Sequence, residues 1–324
     1  MRFKFAAAAL CMLALVPFGP LHAQSFPSKP VRIITPFPAG SGPDSALRLV
    51  ADRLSKQWGQ QVLVENRPGA NGFIALGAAK AAAPDGYTLA QASSAQLSTH
   101  RLVYKSMPYD PVKDFETITP LFRNHFFIVV PTASPWKNVG DLVAVAKAKP
   151  NGLAYGSEFV GSPGHLGAAL LENATGTQMM HVPFKETSQL FNAVGSGDVQ
   201  FAFGTAGTAG AAIRSGKARF LALGAPKRLA AFPDVPTVAE AGGPAGFEVG
   251  ASTVLLAPKG TPKAIVDQVN AYVAKAVADP EVRERFAAFG YETWPLTPVE
   301  TAAAMEADTK RYADIIKRLN LQLD

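Results

Sequence analysis

The sequence predicts an α/β protein with two lobes, each built on a mostly parallel sheet. Short runs of β-branched and apolar residues alternate with helical patterns along the chain, an order typical of parallel sheets covered by helices. The 324 residues are 48% apolar and 17% charged, which is enough to fill two cores. Ligands of such sheets bind beyond the carboxyl ends of the strands, so a ligand site is expected there.

The clearest strand–loop–helix unit is VRIITPFPAGSGPD at residues 31–44. Its β-branched residues favour a buried strand at 31–35, and the two prolines that follow end that strand. Pro43 suits a first helical position, and apolar residues then recur at helical spacing as far as Trp58. The first N–H groups of a helix are unpaired and the helix dipole is positive there, so this unit predicts an anion site.

The nature of the anion is open at this point. Gly40 and Gly42 begin a G-x-G, and Glu65 follows at about the distance where dinucleotide folds place a ribose-binding acid. The third glycine position is Ser45, so a small carboxylate or phosphate fits better than a nucleotide. A glycine-rich turn without any ligand is a further alternative. Asp44 either caps the helix start or orders the loop and accepts a ligand donor.

The rest of the chain continues the alternation. A predicted strand at residues 87–90 ends in a polar loop at 91–94. The apolar run at 126–130 suits a strand that crosses to a second lobe, where residues 161–165 form another glycine-rich turn before a helix. With a return near residues 224–228, the expected division is residues 24–125 plus 228–324 in lobe 1 and residues 126–227 in lobe 2.

The first 23 residues predict a secretory signal peptide. Arg2 and Lys4 precede an apolar run from Phe5 to Phe18, and a small-residue cleavage site ends at Ala23. Its removal takes away Cys11, the only cysteine, and lowers the 31 Lys and Arg to 29, against 25 Asp and Glu. We therefore expect a soluble, exported, periplasmic protein without disulfide or thiol chemistry.

Other chemistries have weaker support in the sequence. Ser162 and His165 lie close together, but no G-x-S-x-G places the serine in a nucleophile elbow, so a serine hydrolase is a minor alternative. For His165, packing or capping competes with donation to a ligand. The five histidines show no metal-ligand spacing, and Lys and Arg do not cluster with aromatic residues. We expect no metal, no cofactor and no nucleic-acid partner.

Several motifs resemble, in family order, those of the tripartite tricarboxylate transporter receptors, also called the Bug family of periplasmic binding proteins. The resemblance covers nearly the whole mature chain. It rests on PFPAGSGPD from Pro36, VENRPGANG from Val64, APDGYTL from Ala83, MPYDPVKDF from Met107, VGSPGHL from Val160, HVPFK from His181, FPDVPTVAEAG from Phe232 and LLAPKGTP from Leu255.

This resemblance implies a Venus-flytrap receptor, a type II periplasmic binding protein. Such a receptor holds a small organic carboxylate between its lobes and delivers it to the membrane components of a tripartite transporter. It also implies a monomer without enzymatic activity, and a secreted α/β enzyme acting on a small anion is the alternative. The loops at residues 37–44 and 161–165 are then expected to hold one ligand carboxylate from opposite lobes, partly through water. The candidate ligand-binding residues are Phe37, Pro38, Ala39, Gly40, Ser41, Asp44, Ser93, Ser94, Gly161, Ser162, His165, Lys185, Gly204 and Thr205.

Three positions depart from the family pattern. Ser41 replaces a glycine and adds a hydroxyl to the first loop, Gly204 stands where relatives commonly have an aspartate, and Ser252 or Thr253 falls where an aromatic residue is frequent. The distal end of the cleft is therefore expected to be wider and less acidic. Such a cleft favours a bulky aromatic or dicarboxylic acid over an amino acid. Candidate donors to the far end of the ligand are Thr205, Thr208 and Lys185.

Overall fold

The computed structural model describes residues 26–158 and 160–323. The predicted signal peptide, Met1–Ala23, and Cys11 within it lie outside these residues. In the described part of the chain, no helix is long and apolar enough to cross a membrane. Two β-sheets, each covered by helices, form two lobes.

Strands and helices alternate through most of the described chain, as the sequence predicts. The strands are β1 (Val31–Thr35), β2 (Val62–Asn66), β3 (Thr88–Ser93), β4 (Phe115–His125), β5 (Phe127–Pro131), β6 (Ala154–Ser157), β7 (Met180–Pro183), β8 (Phe201–Gly204), β9 (Ala218–Leu223), β10 (Gly250–Pro258) and β11 (Tyr291–Glu292). The helices are α1 (Gly42–Trp58), α2 (Phe73–Lys80), α3 (Ser94–Leu97), α4 (His100–Val103), α5 (Val139–Ala148), α6 (Pro163–Thr175), α7 (Thr187–Ser196), α8 (Ala206–Arg214), α9 (Lys263–Ala278), α10 (Pro280–Ala288) and α11 (Pro298–Arg318).

The first sheet has the strand order β11-β4-β10-β3-β1-β2. Strands β1, β2 and β3 are parallel, with Ile33 of β1 paired to Val64 and Leu89. Strand β10 runs antiparallel between β3 and β4. Ile33 is fully buried in a core that also contains Leu47 of α1 and Phe286 of α10. Helix α1 therefore has a fixed position over the strand that precedes it.

The second sheet has the strand order β7-β6-β8-β5-β9. Strands β6, β7 and β8 are parallel, and β5 is antiparallel to both β8 and β9. Phe201 and Phe203 of β8 pack on one face with Leu171 of α6. Phe191 of α7 packs on the other face with Phe127 of β5. Helices on both faces bury the central strands β5 and β8, which explains their continuous apolar runs.

Two chain segments connect the sheets. Strand β4 passes directly into β5 through Phe126, and the chain returns between β9 and β10. Phe126 N–H donates to Val249 O at 2.9 Å, Gly224 N–H donates to Phe126 O at 2.8 Å, and Val249 N–H donates to Gly224 O at 3.0 Å. These three residues make the crossing a single hydrogen-bonded unit.

The segment before the return packs on the second sheet. Leu229 belongs to the core that contains Phe127, and Val238 and Phe247 belong to the core that contains Phe203. We therefore propose that the chain returns to lobe 1 at residues 249–250 rather than at 224–228. Residues 228–249 then belong to lobe 2.

Strand β3 is longer than the sequence predicts, and the polar loop expected at residues 91–94 is wrong. Residues 91–93 continue the strand, and Ser94 begins α3. Gln91 is fully buried because its polar atoms have partners: its Oε1 accepts from Thr35 Oγ1 at 2.7 Å, and its Nε2 donates to Pro43 O at 3.2 Å. A polar side chain with both hydrogen bonds made can remain inside a sheet.

The tight crossing leads to a stability prediction for Gly224→Ala. A Cβ at this position would lie 3.1 Å from Val249 N and 3.2 Å from Phe126 O, both backbone atoms of the crossing. We expect a loss of about 1–3 kcal/mol in the free energy of unfolding, measured in urea. The matched control is Gly77→Ala within α2, where a Cβ meets nothing within 4 Å. That control should be neutral or stabilising by up to about 1 kcal/mol, and equal losses in the two variants would contradict the prediction.

Candidate functional site

The carboxyl ends of the parallel strands in both sheets lie beside the crossing. Strands β3 and β4 point the same way because both are antiparallel to β10, and β4 ends at the crossing. Strand β8 also ends there, because it is antiparallel to β5, which begins directly after Phe126. The ends of β1, β3, β6 and β8 therefore border one cleft, the place where such sheets bind ligands.

Three helices start at these strand ends: α1, α6 and α8, with 17, 13 and 9 residues. In the part of the chain that the structure describes, several backbone N–H groups of their first turns have no acceptor. They also carry the positive end of each helix dipole, so they favour an anion. They belong to Gly42 and Asp44 in lobe 1 and to Gly164, Ala206 and Gly207 in lobe 2.

Asp44 holds the first loop in place. Gly40 has a φ of 78°, a left-handed conformation that favours glycine, and its N–H donates to Asp44 Oδ2 at 2.8 Å. Arg48 Nε donates to the same oxygen at 3.0 Å, and Asn66 Nδ2 donates to Oδ1 at 2.7 Å. Burial opposes ionisation, but these hydrogen bonds outweigh it and lower the pKa of Asp44. Both carboxylate oxygens serve the loop, which favours the ordering role over contact with a ligand.

Sequence reasoning missed three residues that support this loop. Asn66 Nδ2 also donates to Phe37 O at 2.9 Å, and Arg48 Nη2 donates to Asn66 Oδ1 at 2.7 Å. A Cβ at Gly42 would lie 2.3 Å from Tyr291 Oη, so the helix start fits only glycine there. In the sequence, only the position of Asn66 at the end of β2, which pairs with β1, could have indicated that this side chain supports the first loop.

The remaining residues of the first loop differ in exposure. Pro38 and Ala39 are exposed, and Phe37 is half-buried. Ser41 Oγ donates to Pro38 O at 2.7 Å, so the hydroxyl that distinguishes this loop from the family pattern is used within the loop. Ser41 makes no side-chain hydrogen bond to the first turn of α1, which leaves the N–H groups of that turn to another partner.

Ser93 and Ser94 lie at the end of β3. Ser93 and Gln96 cap the short helix α3 reciprocally, each side chain accepting from the other's backbone N–H. Ser94 is buried, and its Oγ accepts from Ser252 N–H at 3.1 Å. Ser94 also lines a small cavity of about 20 Å³ together with Gly161 of the other lobe. The structure thus brings one predicted residue from each lobe to the same space.

The second loop holds itself in place as the first does. Gly161 has a φ of 84°, and its N–H donates to His165 Nδ1 at 2.9 Å. Ser162 is fully buried at the N-cap of α6, where its Oγ accepts from His165 N–H at 3.3 Å. Both side chains therefore shape the turn. Capping, which the sequence left open for His165, is what the hydrogen bonds support.

His165 belongs to a buried stack of rings. Its ring lies 4.0 Å from that of His181, and the ring of Tyr155 lies 5.1 Å from His181 and 6.3 Å from His165. Burial, with a smaller contribution from His181, lowers the pKa of His165 to about 4. Burial also lowers the pKa of His181. His165 is therefore neutral at pH 7 and can accept the hydrogen bond from Gly161.

The expectation that Gly204 widens the cleft is wrong. A Cβ at Gly204 would lie 2.3 Å from Phe191 Cζ, and Phe191 is buried in the core of lobe 2, so this side of the strand faces the core. Thr205 caps α8: its Oγ1 accepts from Thr208 N–H at 3.1 Å, and Thr208 Oγ1 accepts from Thr205 N–H at 2.9 Å. Both hydroxyls expected to reach the ligand take part in this cap. Lys185 is exposed between β7 and α7.

The alternative chemistries find little support in the site. Ser162, the serine considered for a hydrolase, is fully buried, its Oγ accepts from the backbone N–H of His165, and the His165 ring accepts from Gly161 N–H, so both side chains are used within the turn. Ser157 Oγ lies 2.7 Å from His181 Nε2, but Ser157 is also fully buried. Glu65 pairs with Arg32 at 3.1 Å and Arg67 at 2.5 Å, which occupies the carboxylate that a ribose would need. Within residues 26–158 and 160–323, no cluster of His, Cys, Asp and Glu could hold a metal ion.

Comparison with known proteins identifies the family. Residues 46–321 match the family described as tripartite tricarboxylate transporter family receptor. The chain belongs to this receptor family. The Cupriavidus necator protein described as "UPF0065 protein in gbd 5'region" is 36% identical over 317 residues, which cover 98% of this chain and 95% of the relative. The resemblance seen in the motifs is thereby confirmed.

Solved structures of similar proteins confirm the two-lobed type II fold. Rpa4515 of R. palustris, solved with adipate, has a TM-score of 0.78 and 31% identity, covering 92% of this chain and 99% of that one. MatC of Rhodopseudomonas palustris, solved with bound malate, has a TM-score of 0.73 and 30% identity, covering 90% of this chain and 100% of that one. As a member of this receptor family, the protein is a solute-binding receptor, and the enzyme alternative is not favoured.

The buried His165 predicts a pH dependence of receptor stability. Its pKa is about 4 in the folded protein and 6.5 in the unfolded chain, so the unfolded chain binds more protons between these values. Stability is therefore full above about pH 6.5 and falls as the pH drops towards 4. This residue should account for about 2 kcal/mol of the loss between pH 7 and pH 5.

The measurement is urea unfolding of the parent and His165→Gln at pH 7 and pH 5. Glutamine can still accept from Gly161 N–H but does not titrate. The variant should lose less stability on acidification than the parent, by about that amount. An equal loss in both proteins would contradict the assignment.

Proposed function

We propose that this protein binds a small organic carboxylate between its lobes and delivers it to the membrane components of a tripartite tricarboxylate-type transporter. It acts in the periplasm after removal of Met1–Ala23 and works as a monomer, with the membrane components as its protein partners. The observation that carries the proposal is the set of backbone N–H groups without acceptors at the starts of α1, α6 and α8, on both sides of one cleft.

The chemistry of these groups suits a carboxylate. Backbone N–H groups at a helix start can bind an anion without a buried cationic side chain. They contact only the anionic group, so the rest of the ligand can vary. The solved relatives that carry adipate and malate are dicarboxylate complexes with 31% and 30% identity to this chain. Candidate residues from both lobes are proposed to shape the backbone that contacts the ligand. They are Gly161, Ser162 and His165 in lobe 2, and Phe37–Asp44 and Ser93–Ser94 opposite them in lobe 1. Thr205, as the cap of α8, is proposed to hold the start of that helix, while Gly204 and Lys185 are given no contact with the ligand.

A melting screen tests the function. A ligand present at about 100 times its Kd stabilises the folded state by about 2.7 kcal/mol, which raises the melting temperature measurably. We expect mono- or dicarboxylates from a panel of about fifty acids to raise it, and nucleotides and esters to leave it unchanged. If a nucleotide or an ester stabilises the protein and no carboxylate does, the receptor proposal is wrong.

A charge placed at the start of α8 tests the role of the helix starts. Gly207 is exposed at the second position of α8, so Gly207→Asp adds a negative charge beside the unpaired N–H groups. We expect an increase in the Kd of the bound carboxylate of at least about tenfold, or about 1.4 kcal/mol, because two anions then compete for one site.

Two controls isolate the charge effect. Gly207→Asn changes the same position without charge and should alter the Kd by less than about threefold. Ala264→Asp places the same charge at the second position of α9, which follows β10 at the opposite edge of the sheet. Calorimetry that shows equal weakening by Gly207→Asp and Ala264→Asp would count against a carboxylate at the cleft helix starts.

A further inference from the structure

Asp308 of α11 lies between two adjoining cavities. One is the space of about 20 Å³ that Ser94 and Gly161 also line, between the two lobes. The other encloses about 210 Å³ and is lined by Arg123, Arg311 and Trp294, among others. Gly250, Ala251 and Asp308 line both cavities, so Asp308 borders the place where the cavities adjoin.

The other charged groups around the larger cavity have partners. Arg123 Nε donates to Glu292 Oε2 at 3.2 Å, and its guanidinium lies 5.3 Å from the ring centre of Trp294. Arg311 Nη1 lies 3.7 Å from Glu248 Oε2. Among residues 26–158 and 160–323, no group donates a hydrogen bond to the carboxyl of Asp308. Burial raises the pKa of Asp308, while Arg311 opposes the shift and Glu248 adds to it.

Asp308 is half-buried, so its carboxyl is accessible to solvent and also to a donor group on a bound ligand. The smaller cavity has the volume of about one water molecule, which is also the volume of an amino or hydroxyl group. It lies against Gly161, whose loop leads into the start of α6, where a ligand carboxylate is proposed to bind. A donor group carried next to that carboxylate would face the cavity that Asp308 also lines.

We propose that Asp308 is a specificity-determining residue that accepts a hydrogen bond from an amino or hydroxyl group on the bound acid. The preferred solutes are then amino acids or hydroxy acids rather than plain mono- or dicarboxylic acids. This inference rests on the proposed function. It also replaces the preference for bulky aromatic or dicarboxylic acids, which depended on Gly204 and Ser252.

Three matched four-carbon acids test the inference by calorimetry at pH 7.5: succinate has no donor, malate has a hydroxyl and aspartate has an ammonium group. We expect malate or aspartate to bind the parent protein at least about tenfold more tightly than succinate. In Asp308→Ala that advantage should shrink to within about threefold. In Asp308→Asn an advantage of malate should persist, because the amide oxygen still accepts, whereas an advantage of aspartate should fall with the lost charge.

Asp314→Ala is the matched control, because Asp314 is exposed on the same helix and should leave all ratios unchanged. Equal binding of the three acids by the parent, or an advantage that survives in Asp308→Ala, would overturn the role of Asp308 alone. Binding of other carboxylates from the panel but none of these three would overturn it as well. If no carboxylate binds the folded parent protein, the proposed function itself fails.

Discussion

The unpaired N–H groups at the starts of α1, α6 and α8 are the constraint on which the rest of the site depends. A helix cannot satisfy these groups itself, and a parallel sheet places every following helix start at the same edge. Because β4 runs straight into β5, that edge in one sheet faces the same edge in the other. The topology alone therefore concentrates positive backbone dipoles in the cleft.

Such a cleft needs loops that keep its N–H groups exposed to the ligand. In both loops a glycine in the left-handed conformation turns the chain, and a side chain four residues later accepts from that glycine's N–H. In lobe 1 the acceptor is the Asp44 carboxylate, and in lobe 2 it is the neutral ring of His165. The acceptors bind the turn and leave the first helical N–H groups free. Recognition by backbone then requires little from the ligand-facing side chains.

Much of the fold could be predicted from the sequence, because patterns of apolar residues and prolines fix most strands and helices locally. The strand at residues 31–35 and the helix that follows it to Trp58 needed no tertiary information. Strand β4 could not be predicted, because polar residues and Pro120 interrupt its pattern. Its pairing with β10 shifts register beside Pro120, which lets a proline sit inside the sheet.

The candidate site was predictable only in part, for a similar reason. Glycine-rich turns before helices are local signals, so the loops at residues 37–44 and 161–165 could be found. The partners of those loops come from distant parts of the chain: Asn66, Tyr291 and Asp308 carry no local signal. Gly204, by contrast, was wrongly expected to shape the cleft. Its departure from the family pattern shows that a side chain is missing, but not whether that side chain would point into the cleft or into the core.

The crossing links ligand binding to the relation between the lobes. Its three residues, Phe126, Gly224 and Val249, hydrogen-bond one another through backbone alone, so neither connecting segment can shift without the other. If one lobe rotates relative to the other, we expect the chain to bend at the ends of this unit more readily than within it. Directly beyond its ends lie His125 and Gly250, which line the same cavity as Asp308. A ligand group that contacts Asp308 would therefore lie beside the part of the chain that we expect to bend when the lobes rotate.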